Sequence, residues 1–188
     1  MKVEVLTIRG TGIQNCIKTP VEIINPKANK TCPTLAIWDT GATNSVITKS
    51  KATELGLLPI SKAQVRGVGG VLTTNIYLVS IRLNNKNITL PRLVTECETL
   101  SDDDNTGLLV GMDIISLGDF TISNYNNKTT MTFRFPSLAE VDYVKEVQEF
   151  KKFHRQHQLN VKKKLPDKCG CGSGKLWKNC HGQSIYAI

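Results

Sequence analysis

The stretch Leu35-Ala36-Ile37-Trp38-Asp39-Thr40-Gly41-Ala42 is an apolar run that leads directly into an acid and a glycine. A charged aspartate that is buried without partners costs several kcal/mol, so an acid at the end of an apolar strand needs an explanation. One explanation is an ordinary turn, because Asp and Gly are common turn residues. The other is a reactive carboxylate held at a rigid point, where Thr40 can bond to structural neighbours and Gly41 lets a substrate backbone approach.

The sequence on both sides of this stretch predicts a domain made mostly of short β-strands. Runs rich in β-branched and apolar residues alternate with turn formers such as Asn84-Asn85, Gly69-Gly70 and Asn126-Asn127. Strands are predicted at residues 3–9, 21–25, 35–38, 63–67, 73–83, 88–94, 120–124 and 129–135. This density of short strands favours a barrel or a sandwich.

Three helices are predicted. Two short ones are expected at residues 49–57 and 112–117. Towards the end of the chain the apolar spacing becomes three or four residues, which predicts a helix of roughly twenty-five residues. Ser137 is its expected N-cap, with Glu140 three residues later, and Pro166 is expected to end it.

The net charge of +8 is concentrated in the last part of the chain. Residues 1–150 hold 15 basic and 15 acidic residues, whereas residues 151–188 hold nine basic residues and one acid. Attraction to nucleic acid or to an acidic partner is therefore expected only of the tail. The apolar runs are too short to span a bilayer, and the start of the chain lacks the apolar stretch of a signal peptide. We therefore expect a cytoplasmic protein with no membrane contact.

Three segments resemble the retropepsin family, the retroviral and retroviral-like aspartic proteases, in the same order and at suitable spacing. They are residues 36–42 around the acid, Val65-Arg66-Gly67-Val68-Gly69-Gly70-Val71, and Gly107-Leu108-Leu109-Val110-Gly111-Met112-Asp113-Ile114-Ile115. In that family the second segment is the tip of the flap, the hairpin that closes over the substrate. The third is a strand and helix start beneath the active site. The resemblance implies a mostly β, closed barrel of one lobe with a short helix, and a protease that acts on polypeptides.

The resemblance also implies site residues. Asp39, Thr40 and Gly41 would form the catalytic triplet. The residues that would contact the substrate are Ala42, Gly67, Gly69 and Gly70. Hydrolysis by this route needs two aspartates that share a proton, because like charges a few Å apart do not ionise together. The chain has no second Asp-Thr/Ser-Gly triplet, so we expect a twofold homodimer that brings two Asp39 side chains together on its axis.

The supporting motifs also have simpler interpretations. The flap glycines could form a loose hairpin, and Asp113 could be a helix cap. Retroviral members often carry an acid after the Ala and an arginine after the Gly, which pair near the dimer interface, where this chain has Thr43 and Met112. Both partners are absent together, so we expect altered dimer contacts and unchanged chemistry. The retroviral dimer also uses a sheet of chain termini, whereas residues 120–124 and 129–135 predict a hairpin here.

The tail contains a dense group of candidate metal ligands. Residues 169–182 supply Cys169, Cys171, Cys180 and His181, and interspersed glycines allow a tight turn. Four nitrogen and sulfur ligands suit tetrahedral Zn²⁺, and a closed site of this kind is structural. An unliganded or redox-active cysteine cluster is the alternative. The segment resembles the SEC-C motif, first recognised at the C-terminus of the SecA translocation motor, which implies docking to a protein partner or to the ribosome.

These patterns predict three parts: a retropepsin-like aspartic protease domain at residues 1–135, a helical basic linker at 136–165 and a SEC-C zinc-binding motif at 166–188. The first hypothesis for function is a dimeric aspartic endopeptidase that needs no cofactor for catalysis and carries structural Zn²⁺ in its tail. The alternative is a non-catalytic dimeric adaptor whose tail contacts the ribosome or a protein partner. The hypothesis of a nucleic-acid-binding protein rests only on the charge of the tail. The tail lacks the interleaved aromatic platform on which bases stack.

Overall fold

The computed structural model describes residues 2–67, 70–103, 105–164, 167–169 and 171–180. The chain divides into two compact units, Met1–Ala139 and Glu140–Ile188. The elements of the first unit are β1 (Glu4–Arg9), β2 (Lys18–Asn25), β3 (Lys30–Trp38), β4 (Val46–Thr48), α1 (Lys49–Glu54), β5 (Ser61–Gly67), β6 (Gly70–Arg82), β7 (Thr89–Cys97), β8 (Thr106–Val110), α2 (Met112–Ile115), β9 (Asp119–Ser123) and β10 (Thr130–Phe135). The second unit contains α3 (Tyr143–Lys164) and a 3-10 turn at Trp177–Asn179.

Six strands of the first unit form a closed β-barrel. The order around the barrel is β2-β3-β8-β4-β7-β6, and β6 pairs back with β2 to close it. Neighbouring strands are antiparallel except for two parallel pairs, β3 with β8 and β4 with β7. Within the described residues β5 pairs with β6 alone, and we call this β5–β6 hairpin the flap. The prediction of a mostly β, closed, single-lobed barrel is confirmed for the described residues.

The strand that leads to Asp39 follows the alternation of a sheet with two different faces. Trp38 faces the barrel core and is 6% exposed, whereas Ile37 and Asp39 on the opposite face are half-buried. The Trp38 ring stacks on Phe120 at a centroid distance of 5.4 Å, and its Nε1 donates to Thr19 Oγ1 at 3.0 Å. This packing fixes the end of β3, and with it the position of the acid.

The first strand and the last two strands of the unit form a separate three-stranded sheet. β10 lies between β1 and β9 and is antiparallel to both. Met131 and Phe133 of β10 are buried in the same core cluster as the barrel side chains. The predicted hairpin of residues 120–124 and 129–135 is confirmed, and its turn places Asn126-Asn127 at left-handed φ values of 52° and 57°.

Asp119 joins this sheet to the segment that follows it. Its carboxylate accepts hydrogen bonds from the Ser137 hydroxyl at 2.6 Å, the Leu138 N–H at 3.0 Å and Arg134 Nε at 2.7 Å. Because these donors favour the ionised form, with the Ser137 bond the largest cause, they lower the pKa of Asp119 to about 2.

The predicted helices are present with different bounds. The two short helices each end two or three residues earlier than the sequence pattern suggests. α3 begins at Tyr143, because Asp142 Oδ1 accepts hydrogen bonds from the N–H groups of Val144 at 2.9 Å and Lys145 at 3.1 Å. The prediction of Ser137 as the N-cap is therefore wrong, since its hydroxyl is bound to the carboxylate described above. In the described part of the chain, no helix has the length and apolar character needed to cross a membrane.

Candidate active site

Two backbone hydrogen bonds hold the end of β3 where the acid emerges. Trp38 N–H donates to Ile17 O, and Asp39 N–H donates to Val110 O, both at 3.0 Å. The acceptors belong to the segment before β2 and to the end of β8, so the chain is fixed from two sides. The side chain of Asp39 is half-buried. A rigid backbone with an accessible carboxylate is the arrangement that a catalytic acid or base requires.

The residues after the acid form a tight loop around its carboxylate. Asp39 Oδ1 accepts a hydrogen bond from Gly41 N–H at 2.8 Å, and Ala42 N–H donates to Asp39 O at 3.3 Å. A Cβ at position 41 would lie only 3.2 Å from Oδ1, so glycine keeps this approach open. Among the described residues, Oδ1 alone of the two oxygens is hydrogen-bonded, which leaves Oδ2 for water or for a second carboxylate.

The start of α2 supports this loop from beneath. Met112 N–H donates to Ala42 O at 2.8 Å, and Asp113 N–H donates to Thr43 O at 3.1 Å. A Cβ on Gly111 would lie 2.6 Å from the backbone carbon and oxygen of Asn44, a distance that only a shift of the main chain could relieve. A side chain at position 111 would clash with the main chain, so only glycine fits there. The start of α2 and the loop are in direct backbone contact.

A buried serine connects the same two segments through its side chain. Ser45 is 0% exposed; its Oγ donates to Asp113 Oδ1 at 2.8 Å and accepts from Gly111 N–H at 3.1 Å. Arg92 Nε lies 3.9 Å from Asp113 Oδ2. Because α2 has no side-chain cap, the interpretation of Asp113 as a helix cap is wrong. Sequence reasoning missed Ser45 and Arg92, since neither belongs to a motif.

A row of half-buried side chains begins beside Asp39 and crosses the barrel wall. Strand register pairs Ile37 with Leu109, Leu109 with Val46, Val46 with Thr95, and Thr95 with Ile76. Paired residues on adjacent strands lie on one face, and Ile37 shares its face with the acid two positions later. We call these five residues the lateral row. They form a largely aliphatic surface on the same side of the barrel as the carboxylate.

The flap extends this surface beyond the barrel. Alternation places Ala63, Val65, Leu72 and Thr74 on the same face of the hairpin as Ile76 of the lateral row. Val65 and Leu72 are cross-strand partners with 36% and 65% of their surface exposed. The flap thus presents apolar side chains on the face that it shares with the acid.

The tip of the flap contains the predicted glycines. Gly67 pairs with Gly70, and Gly70 has a φ of +107°, in the region that favours glycine. Gly69 lies outside the described residues. Ala42 is half-buried in the loop next to the acid, far along the chain from the flap. Substrate contact by these four residues stays a prediction.

The base of the flap is tied to β7 by one acidic residue. Tyr77 donates its hydroxyl proton to Glu96 Oε2 at 2.5 Å, and Asn75 Nδ2 donates to Oε1 at 3.4 Å. Thr74 Oγ1 donates to the backbone oxygen of Glu96 at 2.6 Å. Burial, with the hydrogen bond to Glu96 as a further cause, raises the pKa of Tyr77. These bonds give the hairpin a fixed base.

The positions where this chain departs from the retroviral pattern lie close to the acid. Thr43 is exposed, and Met112 is 36% exposed; both contribute backbone contacts to the loop and α2. Thr40 is exposed, and its hydroxyl has no hydrogen bond within the described residues. The predicted role of Thr40 towards structural neighbours of its own chain is therefore not seen in this part of the molecule.

Three of the four predicted metal ligands come together in the second unit. The sulfur atoms of Cys169, Cys171 and Cys180 all lie within 4.8 Å of one another, and the Cys171 and Cys180 sulfurs are 3.6 Å apart. Thiolates on a tetrahedral Zn²⁺, with Zn–S bonds near 2.3 Å, would be about 3.8 Å apart. The cluster is therefore able to bind a metal ion. His181, the predicted fourth ligand, lies outside the described residues.

The backbone around the cluster explains how the ligands meet. Gly172 and Gly174 have φ values of +79° and +67°, which favour glycine and turn the chain sharply. Cys169 is 7% exposed, and its N–H donates to Lys175 O at 2.8 Å across this turn. The glycines noted in the sequence thus form the predicted tight turn.

Comparison with solved structures gives low-identity matches to proteases. A retropepsin-like aspartic protease from Rickettsia conorii matches with 16% identity and a TM-score of 0.46, over 72% of this chain and 97% of that one. The retroviral protease-like domain of Ddi1 from Leishmania major matches with 20% identity and a TM-score of 0.42, over 69% of this chain and 99% of that one. EIAV protease complexed with the inhibitor HBY-793 matches with 22% identity and a TM-score of 0.41, over 55% of this chain and 88% of that one. A search of individually curated proteins gives no match.

The family is shown by a sequence model and not by these structural likenesses. The model described as "Aspartyl protease" matches residues 20–114, half of the chain. This range runs from β2 to α2, so it contains Asp39, the flap and the glycine at which α2 begins. The chain therefore belongs to the aspartyl protease family.

Proposed function

We propose that this protein is an aspartic endopeptidase that acts as a homodimer, with one Asp39 from each subunit. The observation that carries this proposal is the end of β3. There, one carboxylate oxygen is held by Gly41 N–H at 2.8 Å while the other has no hydrogen bond in the described residues. Asp119, by contrast, has both carboxylate oxygens hydrogen-bonded within its own unit.

The chemistry of peptide hydrolysis by carboxylates supports a second subunit. One Asp39, ionised, would take a proton from a water molecule, whose oxygen then attacks the peptide carbonyl carbon. The other Asp39, protonated, would give its proton to the carbonyl oxygen, producing a tetrahedral diol. Collapse of the diol breaks the C–N bond. The Asp39 that took the proton from water gives it to the leaving nitrogen, and the other Asp39 takes a proton from a diol hydroxyl, which restores the starting pair. The chain supplies one Asp-Thr-Gly triplet, so the partner acid comes from a second subunit.

The lateral row and the flap favour an extended polypeptide as substrate. The row carries Ile37, Val46, Ile76 and Leu109 on the side of the barrel that bears the acid. Burial of apolar side chains on such a surface contributes roughly 25 cal/mol per Å². We therefore expect apolar residues on both sides of the cleaved bond.

The exposed hydroxyl of Thr40 fits a role at the subunit contact. It lies next to the acid and has no partner among the described residues. A hydroxyl can both donate and accept, so two copies related by a twofold axis could bond to each other. This role would be structural and would stiffen the pair of loops that carries the two acids.

We further propose that the cysteine cluster holds structural Zn²⁺, with His181 as the fourth ligand. A site filled by four protein ligands has no open position for water, so its contribution is to folding of the tail. The basic charge of residues 151–188 would favour docking to a protein partner or to the ribosome. Without catalysis, the dimer and tail would instead serve as an adaptor.

The experiment is cleavage of an unbiased peptide library by the wild type and by Asp39→Asn. Asp102→Asn is the matched control, because Asp102 is an exposed acid that makes no contact with the site. We expect cleavage by the wild type and the control and none by Asp39→Asn, with both variants still folded. Retained cleavage by Asp39→Asn would end the mechanism, and no cleavage by any form would favour the adaptor.

A further inference from the structure

A lysine lies at the end of the lateral row that is nearest the acid. Strand register pairs Lys18 of β2 with Ile37 of β3, so the two side chains share the face that carries the row. The next residue of β2, Thr19, lies on the core side, where it accepts the hydrogen bond from Trp38 Nε1. The row therefore continues, beyond Ile37, into a charged residue on the strand beside the one that leads to Asp39.

The ammonium group of Lys18 is held by three side chains that lie between β7 and β8 or at the start of β8. Its Nζ donates to Asp103 Oδ2 at 2.6 Å, to Thr106 Oγ1 at 3.0 Å and to Ser101 Oγ at 3.4 Å. An ammonium group has three N–H donors, and these acceptors match them in number. We call Lys18, Ser101, Asp103 and Thr106 the lysine clamp.

Asp103 gives the clamp its internal order. Its Oδ2 also accepts from the Ser101 hydroxyl at 2.9 Å, and its Oδ1 accepts from the Thr106 hydroxyl at 2.9 Å and from Asn105 N–H at 3.1 Å. These donors, with the hydrogen bond from Lys18 as the largest cause, hold the pKa of Asp103 well below its usual value. The carboxylate therefore stays ionised in mildly acidic solution, and the clamp keeps both of its charges there.

The same segment is tied to the strand that leads to the acid. Asn105 O accepts from Leu35 N–H at 2.9 Å and from Thr34 Oγ1 at 2.8 Å. Leu35 lies two positions before Ile37, so this contact and the clamp fix the segment at the acid end of the row. A polypeptide on the row would meet a polar boundary there, in which the charges are already paired. An apolar side chain gains little by packing on such a boundary, in contrast to the aliphatic row.

We propose that Lys18 is a positioning residue for substrate selection, because it holds Ser101, Asp103 and Thr106 as a polar wall at the acid end of the lateral row. This inference rests on the proposed function and deepens it. The wall bounds the space for the substrate side chain next to the cleaved bond, whereas Ile76, at the other end of the row, is four strands away. Lys18 itself does not reach the reacting atoms and acts through the segment that it holds.

The role is tested by the cleavage profile of an unbiased peptide library. Lys18→Met removes the ammonium group and keeps an unbranched side chain. Lys27→Met is the matched control, because Lys27 is exposed in the turn at the other end of the β2–β3 hairpin and its side chain has no hydrogen bond or ion pair within the described residues. We expect Lys18→Met to reduce at least about fivefold the kcat/KM ratio between favoured and disfavoured residues next to the cleaved bond. Selectivity at more distant residues should change by less than about twofold, as should every position in the control.

A second variant tests whether Lys18 acts through Asp103. Asp103→Ala should change the same substrate position by a similar factor, and combining it with Lys18→Met should add nothing further. Effects that multiply in the double variant would show independent action and would overturn the clamp. Hydrogen exchange at the Asp103 and Asn105 amides gives a readout that does not depend on cleavage, since both N–H groups donate to clamp side chains. Lys18→Met should speed this exchange at least about threefold, and unchanged exchange would contradict the positioning.

The outcomes separate this inference from the proposed activity. Asp39-dependent cleavage with a profile that Lys18→Met leaves unchanged would overturn the role of Lys18 and leave the protease standing. A loss of selectivity that is equal at all substrate positions would show general loosening of the barrel, and would also overturn it. No cleavage by the wild type would end the proposed function, and the role of Lys18 in substrate selection with it.

Discussion

Replacement of Ser45 by alanine tests how the loop that carries the acid is supported. In the wild type, the buried Ser45 hydroxyl bonds to both the Asp113 carboxylate and Gly111 N–H. Alanine removes both bonds and leaves no group that can replace them, because Ser45 is 0% exposed and water has no direct access. The loop at residues 39–44 would then be held to α2 by backbone contacts alone.

The magnitude follows from the two bonds. An unsatisfied buried N–H costs about 1–3 kcal/mol, and a hydrogen bond to a charged group contributes about 1.5–3 kcal/mol. Some of the second loss is recovered, because Asp113 is partly accessible to water and lies near Arg92. We therefore expect Ser45→Ala to lower the free energy of unfolding by about 2–4 kcal/mol.

The assay is urea denaturation followed by tryptophan fluorescence, with Ser123→Ala as the control because Ser123 is exposed at the end of β9. The control should remain within about 0.5 kcal/mol of the wild type. Asp113→Asn should cost less than Ser45→Ala, since an amide oxygen can still accept the serine proton. A Ser45→Ala variant as stable as the control would refute the support that we assign to this hydroxyl.

Three further predictions concern other parts of the chain. Gly111→Ala should destabilise the barrel by about 1–3 kcal/mol, because a Cβ would lie 2.6 Å from backbone atoms; a neutral effect in urea denaturation would contradict this steric cause. The folded-state pKa of Asp119, about 2, is below the usual 3.8, so its contacts stabilise the fold above about pH 4 and that contribution is lost as the pH falls towards 2. Asp119→Asn should therefore lower the urea midpoint at pH 7 and leave it unchanged at pH 2. An equal fall of the midpoint at the two pH values would contradict the stabilisation assigned to the ionised carboxylate. Metal chelation should change Trp177 fluorescence and leave the urea midpoint of the barrel unaltered; zinc content near zero in protein purified from zinc-supplied cells would rule this out.

The sequence predicted most strands because their apolar and polar residues alternate. Two barrel strands were missed by that pattern. β4 has only three residues, too few to show a period. β8 shows no alternation because both of its faces are covered: Thr106, Leu108 and Val110 are buried on one face, and on the other Gly107 is buried and Leu109 half-buried. β8 was expected only from the resemblance of residues 107–115 to a protease family.

Strand bounds were shortened by prolines. β2 and β3 begin at Lys18 and Lys30, whereas the sequence predicted starts at residues 21 and 35. Pro20 and Pro33 lie inside these strands and pair opposite Leu35 and Glu22. Proline lacks an N–H and is usually found in edge strands or at the first residue of a strand. A prediction from local sequence therefore ends the strand at the proline, although the β2–β3 pairing continues on both sides of it.

The candidate site was predictable only where chemistry follows from adjacent residues. The Asp39, Thr40 and Gly41 triplet and the cysteine spacing are local in the chain, and the structure gives each a compact geometry. The link between Ser45 and Asp113 joins residues 68 positions apart, and no pattern in one sequence connects them. The N-cap of α3 was predicted at the wrong residue because Ser and Asp are both favourable N-cap residues. The Ser137 hydroxyl donates a hydrogen bond to Asp119 instead, and Asp142 caps the helix.

Subunit mixing tests most directly whether two copies of Asp39 form one catalytic site. Wild-type and Asp39→Asn subunits would be mixed in equal amounts at constant total concentration, allowed to exchange, and assayed for peptide cleavage. Random pairing leaves about one quarter of the dimers with two acids, so activity should fall to about one quarter of the wild-type value. Activity near one half would show that each subunit works alone, and would contradict a shared pair of carboxylates.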